Sequence, residues 1–257
     1  MTSNKEYGLD FIKCDDLYHH VYETVSSYSF NLNLKEFNSN LIDPIKLTFD
    51  SLVYSQNIET TIENEVLRQL DKSNSNKIGY FHQNIFQYFG NGWTVEEEGY
   101  DIINAEKRIF VELKNKHNTM NSSSSAKTYM RMQNSIIEDN QSTCLLVEVI
   151  AKKSQNIPWV VSIDKIKQKP NDRIRRVSID KFYDIVTGYN QSFKKLCEVL
   201  PLVIKDVVDD ISTRNKTNTV FEELNHISND LLTSIYLLSF NRYEGFDNFK
   251  FNKWNKI

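Results

Sequence analysis

Gly99-Tyr-Asp-Ile-Ile-Asn-Ala-Glu-Lys-Arg-Ile-Phe-Val-Glu-Leu-Lys114 is the stretch on which the reading of this chain turns. Its second half, Arg108–Lys114, is rich in β-branched and aromatic residues and reads as a strand. Asp101 precedes Glu112-Leu-Lys114 by about the length of one β-hairpin. Side chains alternate faces along a strand, so Glu112 and Lys114 point the same way. A second carboxylate, Asp101, lies on the neighbouring strand. Two carboxylates can hold a hard cation such as Mg²⁺ through oxygen ligands. A cation so held polarises a phosphodiester and lowers the pKa of a bound water, and an adjacent lysine offsets the charge that develops. The plain alternative is a solvated hairpin whose Glu112 and Lys114 form a salt bridge. The surroundings favour the chemical reading. Glu112 is embedded in Ile109-Phe-Val and Leu113, and charges seldom sit in such a strand without a partner or a metal. The following run, Asn115–Lys127, is dense in hydrogen-bond donors and carries almost no acid, as suits a surface for phosphates and base edges.

Working outward, the chain punctuates into regular elements with few breakers. Asp43-Pro44 opens a helix, with Asp43 as N-cap and Pro44 at its first position; Ile45, Leu47, Phe49 and Leu52 are its expected inner face. Thr60-Thr-Ile-Glu63 has capping-box spacing and starts a second helix to about Asp71. Residues 77–89 make a third, striped by Ile78, Phe81, Ile85, Phe86 and Phe89, and Gly90-Asn-Gly92 ends it. Strands are expected near 93–97, 100–104 and 108–114, a helix over 124–138 capped near Asn121, then strands at 144–150 and 159–163. From Ser178 on the pattern is helical, over 179–187, 192–209 and 218–236. Strands alternating with helices imply a mixed α/β sheet. We expect a single domain, 1–257, with an N-terminal helical part (1–76), an α/β core carrying the motif (77–176) and a mostly helical C-terminal part (177–257).

Composition narrows the class. Forty per cent apolar and 12% aromatic residues mark a folded globular chain. The three cysteines are odd in number and far apart, which suits a reducing cytoplasm and excludes a disulfide framework. The N-terminus lacks a signal-peptide pattern and no apolar run is long enough to span a membrane. A net charge of −3 argues against a general nucleic-acid coat protein. The charge is uneven, however: between Lys152 and Arg176 stand eight Lys or Arg against two Asp. A charge run is usually a solvated face, but beside this motif it reads as a wall facing DNA.

The run Val111-Glu-Leu-Lys-Asn-Lys-His-Asn-Thr-Met-Asn-Ser-Ser resembles the hallmark of a family of type II restriction endonucleases that cut GGNCC. So do Phe37–Lys46, Ile78–Phe86, Val147–Trp159 and Arg173–Tyr183, and the likeness spans roughly residues 8 to 208. It implies a restriction-endonuclease-like PD-(D/E)XK core: a central mixed sheet flanked by helices, with N- and C-terminal helical additions. Tyr100 stands where the family's name has its proline. The resemblance implies a catalytic Asp101, Glu112 and Lys114, with Asp101 and Glu112 as Mg²⁺ ligands and Mn²⁺ a substitute. It implies double-stranded DNA as substrate, and a cognate DNA methyltransferase as a genetic rather than a bound partner.

Other residues carry expectations of their own. Gln83 and Glu65 are candidates for an accessory helical side chain near the metals, each competing with a plain packing or surface role. Lys116, His117, Asn118 and Asn121 follow the motif strand and are expected DNA contacts. A lone histidine makes a poor general base, and no second His/Asn pair supports a histidine–metal nuclease. Lys127 and Arg131 are expected at the start of a helix, where free N–H groups favour a phosphate. Arg173, Arg175 and Arg176 are the natural guanine readers, since a guanidinium bonds O6 and N7 together; the alternative is phosphate clamping or salt bridges to Asp172 and Asp180. Trp159 and Tyr183 are expected in the core. A two-fold target suggests a homodimer. The apolar face of 192–209 is a possible interface, though packing on its own core is the stronger expectation for it. Rival readings are a repair or recombination nuclease of the same fold, and a DNA-binding module with an inert nuclease fold.

Overall fold

The computed structural model describes residues 6–96, 98–117, 119–211, 218–243, 246 and 249–251. These fall into two compact units. The described residues of Met1–Ser27 and Lys77–Ser212 make the first, those of Tyr28–Asn76 and Thr213–Ile257 the second. The boundary at 76/77 lies where the sequence divides, but residues 6–27 belong with the core, and so does the chain from 177 to 211.

The first unit is built on a six-stranded mixed sheet, the coarse architecture expected. Its strands are β1 (Trp93–Val95), β2 (Ile102–Asn104), β3 (Ile109–Lys116), β4 (Thr143–Ile150), β5 (Asn156–Pro158) and β8 (Ile174–Ser178). A separate two-stranded piece pairs β6 (Ser162–Ile163) with β7 (Ile166–Lys167). The sheet order is β1-β2-β3-β4-β8-β5. β1, β2 and β3 form an antiparallel meander. β3, β4 and β8 are parallel, with Lys114 opposite Glu148 and Leu146 opposite Arg176. Parallel neighbours need a crossover, and α5 (Ser122–Glu138) supplies the first one.

Strand alternation divides the sheet's side chains between two layers. Val111, Leu113, Leu145, Val147 and Val177 face a cluster containing Leu17 and Val21 of α1 (Cys14–Ser27), Phe182 and Val186 of α6 (Ile179–Thr187), and Leu196, Val203 and Val207 of α7 (Ser192–Asp210). Cys144, Leu146 and Ile174 face the other way, onto Tyr129 and Met132 of α5 and onto Trp159. Trp159 and Tyr183 are core residues, as expected. Leu196, Val203 and Val207 of α7 pack into its own core, as was the stronger expectation, while Ile204 of the same stretch is 40% exposed.

In the second unit α3 (Pro44–Val53) follows α2 (Leu34–Ser39), and α8 (Val220–Ile227) and α9 (Leu231–Phe240) join them. The Asp43 side chain accepts from the Ile45 and Lys46 N–H groups, as its N-cap reading requires. The expected inner face of α3 holds at Leu47 and fails at Ile45, Phe49 and Leu52. Leu47 and Ser51 are buried, whereas Ile45 and Phe49 are 51% and 65% exposed.

Three further expectations are corrected. The helices read over 60–71 and 77–89 are one, α4 (Ile58–Asn84), followed by a 3₁₀ turn at Ile85–Tyr88. Asn57 takes the capping role expected of Thr60, its side chain accepting from the Thr60 N–H at 2.7 Å. Lys72-Ser-Asn-Ser-Asn76 is polar but contains neither glycine nor proline, so nothing stops the helix there. The strand expected at 159–163 lies earlier and later, as β5 and β6. The helix read over 218–236 is broken between α8 and α9, where Asp230 caps the second by accepting from the Thr233 N–H. Ile174–Ser178 is a strand that sequence reading left unassigned.

Candidate active site

The β2–β3 pairing places Ile102 opposite Val111, so Asp101 meets the far end of β3. Its Oδ2 accepts the Leu113 backbone N–H at 2.7 Å. Glu112, buried at 9% exposure, projects on the α5 side of the sheet. There Lys114 Nζ reaches its Oε1 at 2.6 Å, and Arg131 from α5 pairs with its Oε2. The three motif residues therefore converge.

Arg131 is the addition that sequence reading misplaced. Asn121 caps α5 by accepting from the Ser124 N–H, so the helix starts at Ser122 and Arg131 lies in its middle. A phosphate at the helix N-terminus is not its setting. Its NH1 donates to the Gly99 carbonyl at 2.6 Å, and its guanidinium lies 4.4 Å from the centre of the Tyr100 ring. Tyr100 in turn bonds Ser135 on α5 at 2.9 Å. Tyr100 thus carries the arginine that holds Glu112.

Electrostatics mark Asp101. Burial pushes its carboxyl above the ordinary value; the Leu113 N–H opposes the shift, and the negative charge of Glu112 adds to it. Lys114 and Arg131 offset part of this. A buried carboxyl whose ionisation a neighbouring carboxylate opposes invites a cation. Among the described residues no group of three or more His, Cys, Asp and Glu is arranged to hold a metal. A pair of carboxylates nonetheless fits Mg²⁺, which is held by one or two carboxylates while water and substrate phosphate fill its other positions.

The remaining candidates divide by what they touch. Gln83, at the end of α4, donates to the Asp101 carbonyl at 3.3 Å and so supports the site's backbone. One turn earlier, Gly79 faces Asn115: a Cβ there would stand 3.1 Å from its amide nitrogen. Glu65 belongs to the second unit, where Arg68 grips it through Nε and NH2, both at 2.6 Å, and Gln69 adds a third bond. Lys116 and Lys127 are exposed. Asn118 lies outside the described residues. Arg173 is exposed. Arg175 is bound to Asn156 through Nε and NH2 and to the Asp172 carbonyl. Arg176 pairs with Glu148 at 3.2 Å, and His117 reaches the same carboxylate at 2.9 Å. Glu148 escaped sequence reading, although a glutamate inside Leu145-Leu-Val-Glu-Val-Ile150 gives the same signal as Glu112.

Comparison with known proteins agrees with the geometry. A family model described as Eco47II restriction endonuclease matches residues 9–209. The chain is 30% identical over 213 residues to the type II restriction enzyme Sau96I of Staphylococcus aureus, covering 78% of this chain and 81% of that protein. It is 27% identical over 214 residues to the type II restriction enzyme Eco47II of Escherichia coli, covering 79% and 89%.

Proposed function

The chain belongs to the Eco47II restriction endonuclease family, a type II site-specific deoxyribonuclease, and from that premise we propose that it hydrolyses both strands of double-stranded DNA at GGNCC with Mg²⁺ at Asp101 and Glu112. The observation that carries the reading is the meeting of Asp101, Glu112, Lys114 and Arg131 at one point of the sheet. We read the sheet as the core of a PD-(D/E)XK nuclease, with Tyr100 in place of the proline. The site lies toward the carboxyl ends of parallel strands, where open α/β sheets place ligands.

Asp101 and Glu112 would hold the cation. When bound, it supplies Lewis-acid polarisation of the scissile phosphate and a water acidic enough to attack it. Lys114 places a positive charge where negative charge develops on the phosphoryl oxygens. Arg131 and Gln83 reach no substrate in this reading: one fixes the Glu112 carboxylate, the other the Asp101 main chain. Lys116, Asn121, Lys127 and Arg173 are the candidate contacts to DNA outside the cleavage centre, with Asn118 expected beside them. Arg175 is engaged by Asn156 and is a weaker candidate reader than Arg173.

A two-fold target is most simply met by a homodimer, one subunit per strand, and a cell carrying this enzyme needs a methyltransferase to protect its own sites. Among the described residues no helix is long and apolar enough to cross a membrane. The test is digestion of a sequenced phage genome with Mg²⁺, with Mn²⁺ and in excess EDTA, followed by end sequencing. Ends confined to GGNCC, absent in EDTA, support the proposal. Ends spread over unrelated sequence favour a repair-type nuclease, and cutting in EDTA removes the metal. Sedimentation of the protein free and on its target tests the dimer; a monomer in both refutes it.

A further inference from the structure

After Thr143 at its start, β4 is apolar except for Glu148, which is 1% exposed. Leu113, Val147 and Val177 point to one face of the sheet. By alternation Lys114, Glu148 and Arg176 point to the other: Lys114 is opposite Glu148, and Arg176 is opposite Leu146, two residues before Glu148 on β4. Glu148 therefore stands beside the motif lysine, two strands from Arg176's own edge partner β5.

Both carboxylate oxygens are taken. Oε2 meets His117 Nδ1 at 2.9 Å and Oε1 meets Arg176 NH2 at 3.2 Å. The His117 backbone N–H donates to the Ile150 carbonyl at 3.0 Å, which ties the end of β3 to β4. The burial is lopsided: the side chains of His117 and Arg176 are 19% and 24% exposed, against 1% for the acid between them. The holder is sealed and the held groups reach the surface. With Nδ1 committed to the carboxylate, Nε2 is the ring nitrogen left for a ligand. Arg176 lies 5.9 Å from the centre of the Trp159 ring, and its Nε is buried without a hydrogen-bond partner among the described residues. An unsatisfied buried donor is a cost to the fold and points to a task outside it. With NH2 on Glu148 and Nε buried, NH1 is the guanidinium nitrogen left to meet a phosphate oxygen.

We propose that Glu148 is a positioning residue that presents His117 and Arg176 to a backbone phosphate adjoining the one at Lys114. This rests on the nuclease reading given above. Fixing both groups before DNA arrives removes the entropy cost of ordering them on binding.

The test measures binding of a GGNCC duplex in Ca²⁺ and cutting in Mg²⁺ by Glu148→Gln, His117→Gln, Arg176→Gln and the Glu148→Gln/His117→Gln double variant. Each single variant should weaken binding about ten- to a hundredfold, the size of one charge-assisted hydrogen bond. KM should rise with kcat nearly kept, because the contact is made in ground and transition states alike. Arg176→Gln should shrink the salt slope by about one, and the double variant should bind no worse than the weaker single. A purely structural Glu148 would lower the active fraction, hence apparent kcat, and leave KM and the salt slope alone. His117→Gln, nearer the surface, keeps the question open to test even where Glu148→Gln folds poorly. Unchanged affinity in both His117→Gln and Arg176→Gln, or additive losses in the double variant, overturns the proposal. A wild-type protein that cuts no duplex fails the nuclease reading itself, and the inference with it.

Discussion

Glu112 on β3 and Glu148 on β4 are alike in everything but their neighbours. Both are buried glutamates on one face of the sheet, and each is clasped by two basic side chains: Lys114 and Arg131 for the first, His117 and Arg176 for the second. Glu112 has a second carboxylate beside it, Asp101, whose ionisation it opposes. Glu148 has none. The pair presents two carboxylates to a cation, and Asp101 accepts the Leu113 N–H through Oδ2. A lone carboxylate with both oxygens bonded serves to hold its partners. On the reading proposed above, the same residue type on adjacent strands serves a cleavage centre in one place and a support in the other.

The comparison breaks first at Lys114. If the Glu112 region is the cleavage centre, Lys114→Gln should lower kcat at least about a hundred- to a thousandfold, the scale of losing one charge stabiliser in a transition state. Rates of cutting under single-turnover conditions measure this. The loss should fall on kcat, opposite to the KM effect expected around Glu148.

Stability should separate the two regions in sign. Asp101 has a raised folded pKa, so its ionised form is costlier in the folded than in the unfolded chain. That cost is present at neutral pH and disappears as pH falls through the raised value. Asp101→Asn keeps an oxygen for the Leu113 N–H and removes the charge, so at pH 7 it should melt above wild type. The gap should close on acidification. Glu148→Gln should melt lower, because it leaves the Arg176 guanidinium without its buried carboxylate and weakens the bond to His117. Calorimetry of the two variants side by side checks both signs; a destabilised Asp101→Asn would contradict the account of the carboxylate pair.

A smaller effect lies on the opposite face of the sheet. Burial lowers the His82 pKa from 6.5 to about 4, with His20 adding to the shift. Burial also lowers His20, whose Nε2 bonds the Phe81 carbonyl at 2.9 Å and whose ring stacks on Phe81. Both are neutral in the folded protein near pH 7. As pH drops below 6.5 the unfolded chain takes up protons first, so stability falls progressively down to about pH 4. His82→Gln should flatten that limb of a Tm-against-pH curve and leave cutting at neutral pH unchanged.

What sequence reading could see follows from how each contact is made. Asp101, Glu112 and Lys114 are joined by a hairpin and by strand alternation, both local, and the structure brings them together. Arg131 and Arg176 arrive through a helical crossover and a parallel pairing, which no spacing along the chain encodes, so one was expected at a helix start and the other as a guanine reader. Glu148 did carry a signal, a charge inside an apolar strand, but lacked a nearby second acid to give it meaning. The Asp43 cap was legible because capping is local. The inner face of α3 was not, because Leu47 and Ser51 rather than Ile45 and Phe49 point inward, and the choice between apolar faces is made by packing.

The most direct test of the cleavage centre is Glu112→Gln, which keeps the shape of the side chain and removes the charge that Lys114, Arg131 and a cation share. It is assayed beside wild type for cutting of a GGNCC duplex in Mg²⁺ and for binding of the same duplex in Ca²⁺. The account predicts no detectable cutting, with the duplex still bound specifically. Cutting at the wild-type rate by Glu112→Gln would contradict it.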